Sequence, residues 1–86
     1  MSGEIDIRVA LRAFNKITTD GDRIDDKYHL NGLTAYTDFD GYTVSIQNDF
    51  VSLTVFFHNK FSFKYTNNKE KIAFLEKLNV LGKKSQ

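Results

Sequence analysis

The sequence predicts an α+β fold ordered α-β-β-β-β-β-α. In it a five-stranded antiparallel meander carries both terminal helices on one face. Three observations lead there. Apolar residues recur at helical spacing near both ends of the chain. The middle alternates apolar and polar residues between turn dipeptides. Three successive hairpin registers, read independently from their turns, put the same apolar set on one side. The chain of 86 residues reads as one domain. A chain of this size buries only ~60% of the surface its unfolded form exposes, so most apolar side chains belong in a single core.

The first helix is predicted over residues 5–17. Ile7, Ala10, Leu11, Phe14 and Ile17 fall at i, i+3, i+4, i+7 and i+10, which stacks them on one face. Arg8, Arg12 and Lys16 form the opposite stripe. Glu4 and Asp6 in the first turn and Lys16 in the last suit the helix dipole. The turn formers Thr18-Thr19-Asp20-Gly21-Asp22 break the pattern.

Residues 27–65 read as five strands. Asn31-Gly32 and Asp40-Gly41 are strong hairpin signals, and Asn48-Asp49 is a weaker one. Opposed residues in a hairpin point to the same face. A two-residue loop at Asn31-Gly32 sets Leu30 against Leu33 and Tyr28 against Ala35. One at Asp40-Gly41 sets Phe39 against Tyr42, Thr37 against Val44 and Ala35 against Ile46. One at Asn48-Asp49 sets Ile46 against Val51, Val44 against Leu53 and Tyr42 against Val55. A three-residue loop, His58-Asn59-Lys60, pairs Phe57 with Phe61 and Val55 with Phe63. It keeps the apolar set whole, where a two-residue loop mixes the faces.

Asn67 can cap a second helix, with Glu70 three residues on. Ile72, Phe74, Leu75, Leu78 and Leu81 form its apolar stripe, and Gly82 ends it. Residues 82–86 read as a frayed tail. Since each strand connection is too short for a parallel crossover, the sheet is antiparallel. It has one strongly apolar face, and both helices are expected to lie there.

The uncovered face then holds the candidate functional residues. One row reads Lys27, Tyr36, Ser45, Ser52; the next reads Asp38, Thr43, Thr54, Lys64. A third sets Phe56 beside Ser62, and a fourth holds His29, Thr34, Gln47 and Phe50. Short hydroxyl side chains allow close approach, and isolated aromatics supply anchors. The expected binding residues are Lys27, Tyr36, Ser45, Ser52, Thr54, Phe56 and Lys64. The ordinary alternative is a solvated face, on which Ser and Thr are common.

Composition excludes several classes. There is no cysteine and no proline, so neither a disulfide framework nor a thiolate nucleophile is available. The apolar runs are too short to span a membrane. The early acids and missing apolar stretch at the N-terminus argue against a secretory signal, so a cytoplasmic protein is expected. Charge sums to +1 but is uneven. Residues 18–49 hold two bases and seven acids, and residues 50–86 hold seven bases and two acids. Each charge reads first as part of a solvated face or loop, and a dipole for steering or self-association is the functional alternative. The pI of about 8.0 does not suit a dedicated nucleic-acid binder.

Specific chemistry finds little support. Asp20, Asp22, Asp25 and Asp26 suggest a calcium loop, but Ile24 and Asp25 stand where the pattern needs a ligand and a glycine. Asp38-Phe39-Asp40-Gly41 contains a turn rather than a kinase motif. Ser52, His58 and Asp38 could be drawn as a triad, but nothing orients the base or supplies an oxyanion hole. No cofactor and no metal site are expected. Tyr36 and Phe56 with Lys27 and Lys64 could stack and hold single-stranded nucleic acid, yet Asp38 lies close and the split βαβ order is missing. Nucleic acid is therefore the second choice.

The segments Ala35-Tyr36-Thr37-Asp38-Phe39-Asp40-Gly41-Tyr42-Thr43-Val44 and Leu53-Thr54-Val55-Phe56-Phe57-His58-Asn59-Lys60, with the amphipathic ends, resemble a family of small uncharacterised gammaproteobacterial proteins, a domain of unknown function. The resemblance implies a bacterial cytoplasmic protein and carries no catalytic residue. The functional expectation is a non-enzymatic interaction module. It would use the helix-free face or an edge strand, toward a protein partner or a second copy in a homodimer. A metal-binding or enzymatic site ranks last.

Overall fold

The structure is a computed structural model that describes residues 6–38, 43–56 and 60–82. Those residues form α1 (Ile7–Asp20), β1 (Asp22–Ile24), β2 (Lys27–Leu30), β3 (Leu33–Thr37), β4 (Val44–Gln47), β5 (Val51–Phe56), β6 (Lys60–Tyr65) and α2 (Asn68–Leu81). The strands make one six-stranded antiparallel sheet in the order β1-β2-β3-β4-β5-β6. The expected sheet of five strands is thus corrected to six. The added strand, β1, comes from the stretch read as an acidic loop. Asp25 and Asp26 turn the chain, with Asp25 at φ 59°, so that Ile24 opposes Lys27 and Asp22 opposes His29.

Each helix begins on a side-chain cap. The Asp6 carboxylate accepts the Arg8 N–H at 2.9 Å, and the Asn67 side chain accepts the Glu70 N–H at 2.9 Å, each satisfying a donor the first turn leaves free. α1 continues through Thr18 and Thr19 to Asp20, past its expected end at Ile17. An i,i+4 ion pair between Lys16 and Asp20 at 2.8 Å offsets the unfavourable acid in the last turn. The buried stripes also differ from expectation. Ala10, Ala13 and Ile17 are buried on α1, while Leu11 is exposed. Phe74 and Leu78 are buried on α2, while Ile72 is 54% exposed. Two residues along a helix turn the direction by ~200°, so Ile72 points away from the side that holds Phe74.

These helix residues meet Leu33, Ala35, Ile46, Val51, Leu53 and Val55 in one apolar cluster. By strand alternation all six sheet residues lie on the same side, and Phe63 of that side stands against Phe74 with ring centres 6.1 Å apart. A fully buried side chain of this size contributes ~2 kcal/mol.

Two registers differ from the expected ones, each by two residues. β4 and β5 pair Val44 with Val55 and Ile46 with Leu53, so the turn residues are Asp49 and Phe50. Asn48 closes the ladder instead, its N–H bonding the Val51 carbonyl at 2.9 Å. Its side-chain oxygen accepts the N–H groups of Phe50 and Val51, both at 2.8 Å. β5 and β6 pair Val55 with Phe61 and Leu53 with Phe63, which draws Lys60 into the strand. A slip of two keeps every side chain on its face. The β2–β3 register is as expected, with Leu30 against Leu33 and Tyr28 against Ala35. Its turn has Asn31 at φ 54° and Gly32 at φ 80°, the left-handed pair that a two-residue hairpin prefers. The Asp40-Gly41 turn, the Phe39–Tyr42 pair, Glu4, Phe57, His58 and residues 83–86 lie outside the described residues.

Two glycines permit close approach of backbones. At Gly21 a Cβ would stand 2.6 Å from the His29 carbonyl oxygen. At Gly82 it would collide with the Val9 carbonyl. Gly82 is therefore buried and held rather than frayed, and its carbonyl accepts the Arg12 Nε–H at 2.7 Å. This joins the end of α2 to the early turns of α1.

Gly82→Ala is expected to lower stability by about 1–3 kcal/mol through this overpacking, read as a lower urea midpoint with unchanged m; an unaltered midpoint contradicts the contact. Asp6 gives a second expectation. The Arg8 backbone N–H holds its carboxyl below the ordinary aspartate range. Its contribution is present above the unfolded pKa and is lost as pH falls through the lower folded value. NMR titration should find Asp6 more acidic in the folded chain than in urea, and equal values would contradict the cap.

Candidate functional site

The sheet side away from the helices is built by the same alternation that builds the core. With the observed registers, one row runs Ile24, Lys27, Tyr36, Ser45, Thr54, Ser62. A second runs Asp22, His29, Thr34, Gln47, Ser52, Lys64. A third begins where the Asp38 N–H bonds the Thr43 carbonyl at 2.8 Å and ends where Phe56 opposes Lys60.

All seven expected binding residues stand on this side, in rearranged company. Lys27, Tyr36, Ser45 and Thr54 share the first row. Ser52 and Lys64 share the second, so Ser45 opposes Thr54 rather than Ser52, and Lys64 opposes Ser52 rather than Thr54. Phe56 opposes Lys60 rather than Ser62. The two-residue register shifts account for each change. Ile24 and Lys60, expected in loops, join the face because β1 and β6 extend to include them.

Some of the polar groups here engage one another. The Lys27 ammonium lies 5.0 Å from the centre of the Tyr36 ring, a cation–π distance. The Tyr36 hydroxyl points to the Gln47 side-chain oxygen at 3.5 Å, long for a hydrogen bond. The Thr34 hydroxyl and His29 Nδ1 are 3.1 Å apart. Ser45 and Thr43 are buried between taller neighbours. Phe56 stands 43% exposed and Ile24 57%. The face is thus a low hydroxyl floor with an apolar rise near each side and exposed lysines at 27, 60 and 64.

Such a surface can bind by contact. Ser52 and Asp38 stand in different rows, and His58 lies outside the described residues. Among the described residues no group of three His, Asp or Glu side chains could hold a metal ion, and the Asp20–Asp26 stretch is spent on the end of α1 and the β1–β2 hairpin. The hollow beside the Asp49-Phe50 turn, about 350 Å³ and lined by Asn48, Ser52, Lys64 and Thr66 among others, is open to solvent rather than enclosing. No described helix is long and apolar enough to cross a membrane.

The β-edges complete the accessible surface. β1 is three residues long and exposed throughout. β6 is six residues long and carries Phe61 and Tyr65, 38% and 41% exposed, on the helix side. The Lys71 ammonium lies 5.0 Å from the Tyr65 ring centre.

Neither a curated protein nor a solved structure matches this chain. The family described as "Protein of unknown function (DUF3081)" matches residues 5–86, and because that span takes in both helices and the whole sheet, the chain belongs to that family.

Proposed function

We propose that this protein is a small non-enzymatic interaction module of the bacterial cytoplasm, with the helix-free side of its sheet as a contact surface for another protein. The observation that carries the reading is Phe56. It is a large aromatic left 43% exposed on a sheet side that no described helix covers, opposite Lys60 and on the same side as the short Ser45 and Thr54. Exposed aromatics flanked by short polar groups are where contact energy concentrates. The setting rests on the resemblance of the two quoted segments to gammaproteobacterial chains.

Single-stranded nucleic acid fits this face less well. Stacking needs a free ring face, and the Lys27 ammonium already stands over Tyr36. Asp22 and Asp38 also lie at the ends of the rows that hold the lysines.

Phe56→Glu should leave thermal unfolding within a few degrees of wild type, since the ring is not part of the core cluster. In affinity capture from a bacterial lysate it should retain at least ~10-fold less of any protein that wild type retains, in line with the loss of an aromatic anchor. Equal retention by both forms would refute the assignment of this face. Binding of oligothymidylate by wild type that weakens steeply with salt would replace it with the nucleic-acid reading.

A further inference from the structure

The two edges of the sheet differ in what their backbones offer. In an antiparallel pair, opposed residues alternate between exchanging both backbone hydrogen bonds and exchanging none. The Thr66 N–H bonds the Phe50 carbonyl at 3.1 Å, so the bonded phase of the β5–β6 ladder falls on Ser52–Lys64, Thr54–Ser62 and Phe56–Lys60. The Asn48–Val51 bond fixes the complementary phase on the other flank of β5. On β6, therefore, the N–H and C=O groups of Phe61, Phe63 and Tyr65 point outward from the sheet. On β1 the two-residue turn makes Ile24–Lys27 a bonded pair, and Asp22–His29 follows. Only Arg23 is left facing outward there. One edge is blunted, and the other presents three residues in a row whose outward backbone groups pair with no described strand.

Side chains on β6 select what can pair there. Lys60 and Lys64 stand on the helix-free side, and among the described residues neither has an ion-pair partner. Phe61, Phe63 and Tyr65 stand on the helix side, partly exposed. A second copy of β6 would bring four lysines together, and lysine on an edge is a known guard against self-pairing. A strand with carboxylates on one side and apolar groups on the other meets both sets.

We propose that the outer edge of β6 takes a seventh, antiparallel strand from another protein, an extended segment in which acidic and apolar side chains alternate. Its apolar residues lie opposite Phe61, Phe63 and Tyr65 and exchange backbone hydrogen bonds with them. Its carboxylates lie on the side of Lys60 and Lys64. Strand addition of this kind draws affinity from the backbone and specificity from alternate side chains. The inference rests on reading the chain as an interaction module but not on the helix-free face.

The test uses the full chain and capped nine-residue peptides of alternating Glu and Val, with an alternating Lys and Val peptide as counterpart. The Glu–Val peptide should bind at least ~10-fold tighter than the Lys–Val peptide, and less tightly as salt rises. N-methylation of its Val residues should abolish binding, and N-methylation of its Glu residues should be tolerated, because only the Val amides enter the new ladder. Lys60→Glu with Lys64→Glu, both on the surface, should reverse the charge preference. Phe56→Ser, which brings no charge against Lys60, should leave the preference for the Glu–Val peptide unchanged, which separates this edge from the face proposed above. Absence of binding, equal binding of the two peptides, or indifference to Val N-methylation would overturn the proposal. So would sedimentation showing a dimer that the Glu–Val peptide does not dissociate.

Discussion

Ala10, Ala13 and Ile17 of α1 and Phe74 and Leu78 of α2 close on Leu33, Ala35, Ile46, Leu53 and Val55, and nearly every other property depends on that contact. The layer is one side chain thick on each side. It exists because strand side chains alternate, so a single run of apolar residues on every second position becomes a continuous floor for two helices. A chain this short has little further core to draw on. Neither described helix covers the polar side of the sheet for the same reason, since both are committed to the apolar side. The glycine contacts at Gly21 and Gly82 and the Arg12 bond to the Gly82 carbonyl set how closely the helices approach the sheet and each other.

Much of this was legible in the residues, and the failures have physical causes. Asn31-Gly32 encodes its turn directly, because both positions need left-handed backbone and these residues accept it at small cost. Asn48 also signals a turn, but its side chain caps Phe50 and Val51 from the last ladder position, so the turn lies one residue later and the register moves by two. Since the side-chain period is two, the face assignments of Tyr36, Ser45, Ser52, Thr54 and Phe56 survive that error while their neighbours change. β1 gave no signal because all three of its residues are exposed, which leaves no apolar alternation to read. The ends of the helical stripes failed on angle. Leu11 and Ile72 are apolar, but Ala13 and the Phe74–Leu78 line point more directly at the sheet.

The free surfaces follow from the same geometry. Helix coverage of one side defines the hydroxyl-rich face around Tyr36 and Phe56. The order of the ladder defines the outer edge of β6, where the acidic and basic halves of the chain are also separated. Asp22, Asp25 and Asp26 gather at the β1–β2 hairpin, while Lys60 and Lys64 gather at the opposite edge. A sheet with one short acidic edge and one longer basic edge presents a different surface at each end, and an incoming strand meets very different terms at the two.

Amide hydrogen exchange along β6, resolved residue by residue, tests the ladder phase and the open edge together. The account predicts slow exchange at Ser62 and Lys64 and fast exchange at Phe61, Phe63 and Tyr65 in the isolated protein. Uniform protection along the strand would show the edge already covered, and the opposite alternation would show the pairing with β5 out of phase with the one described.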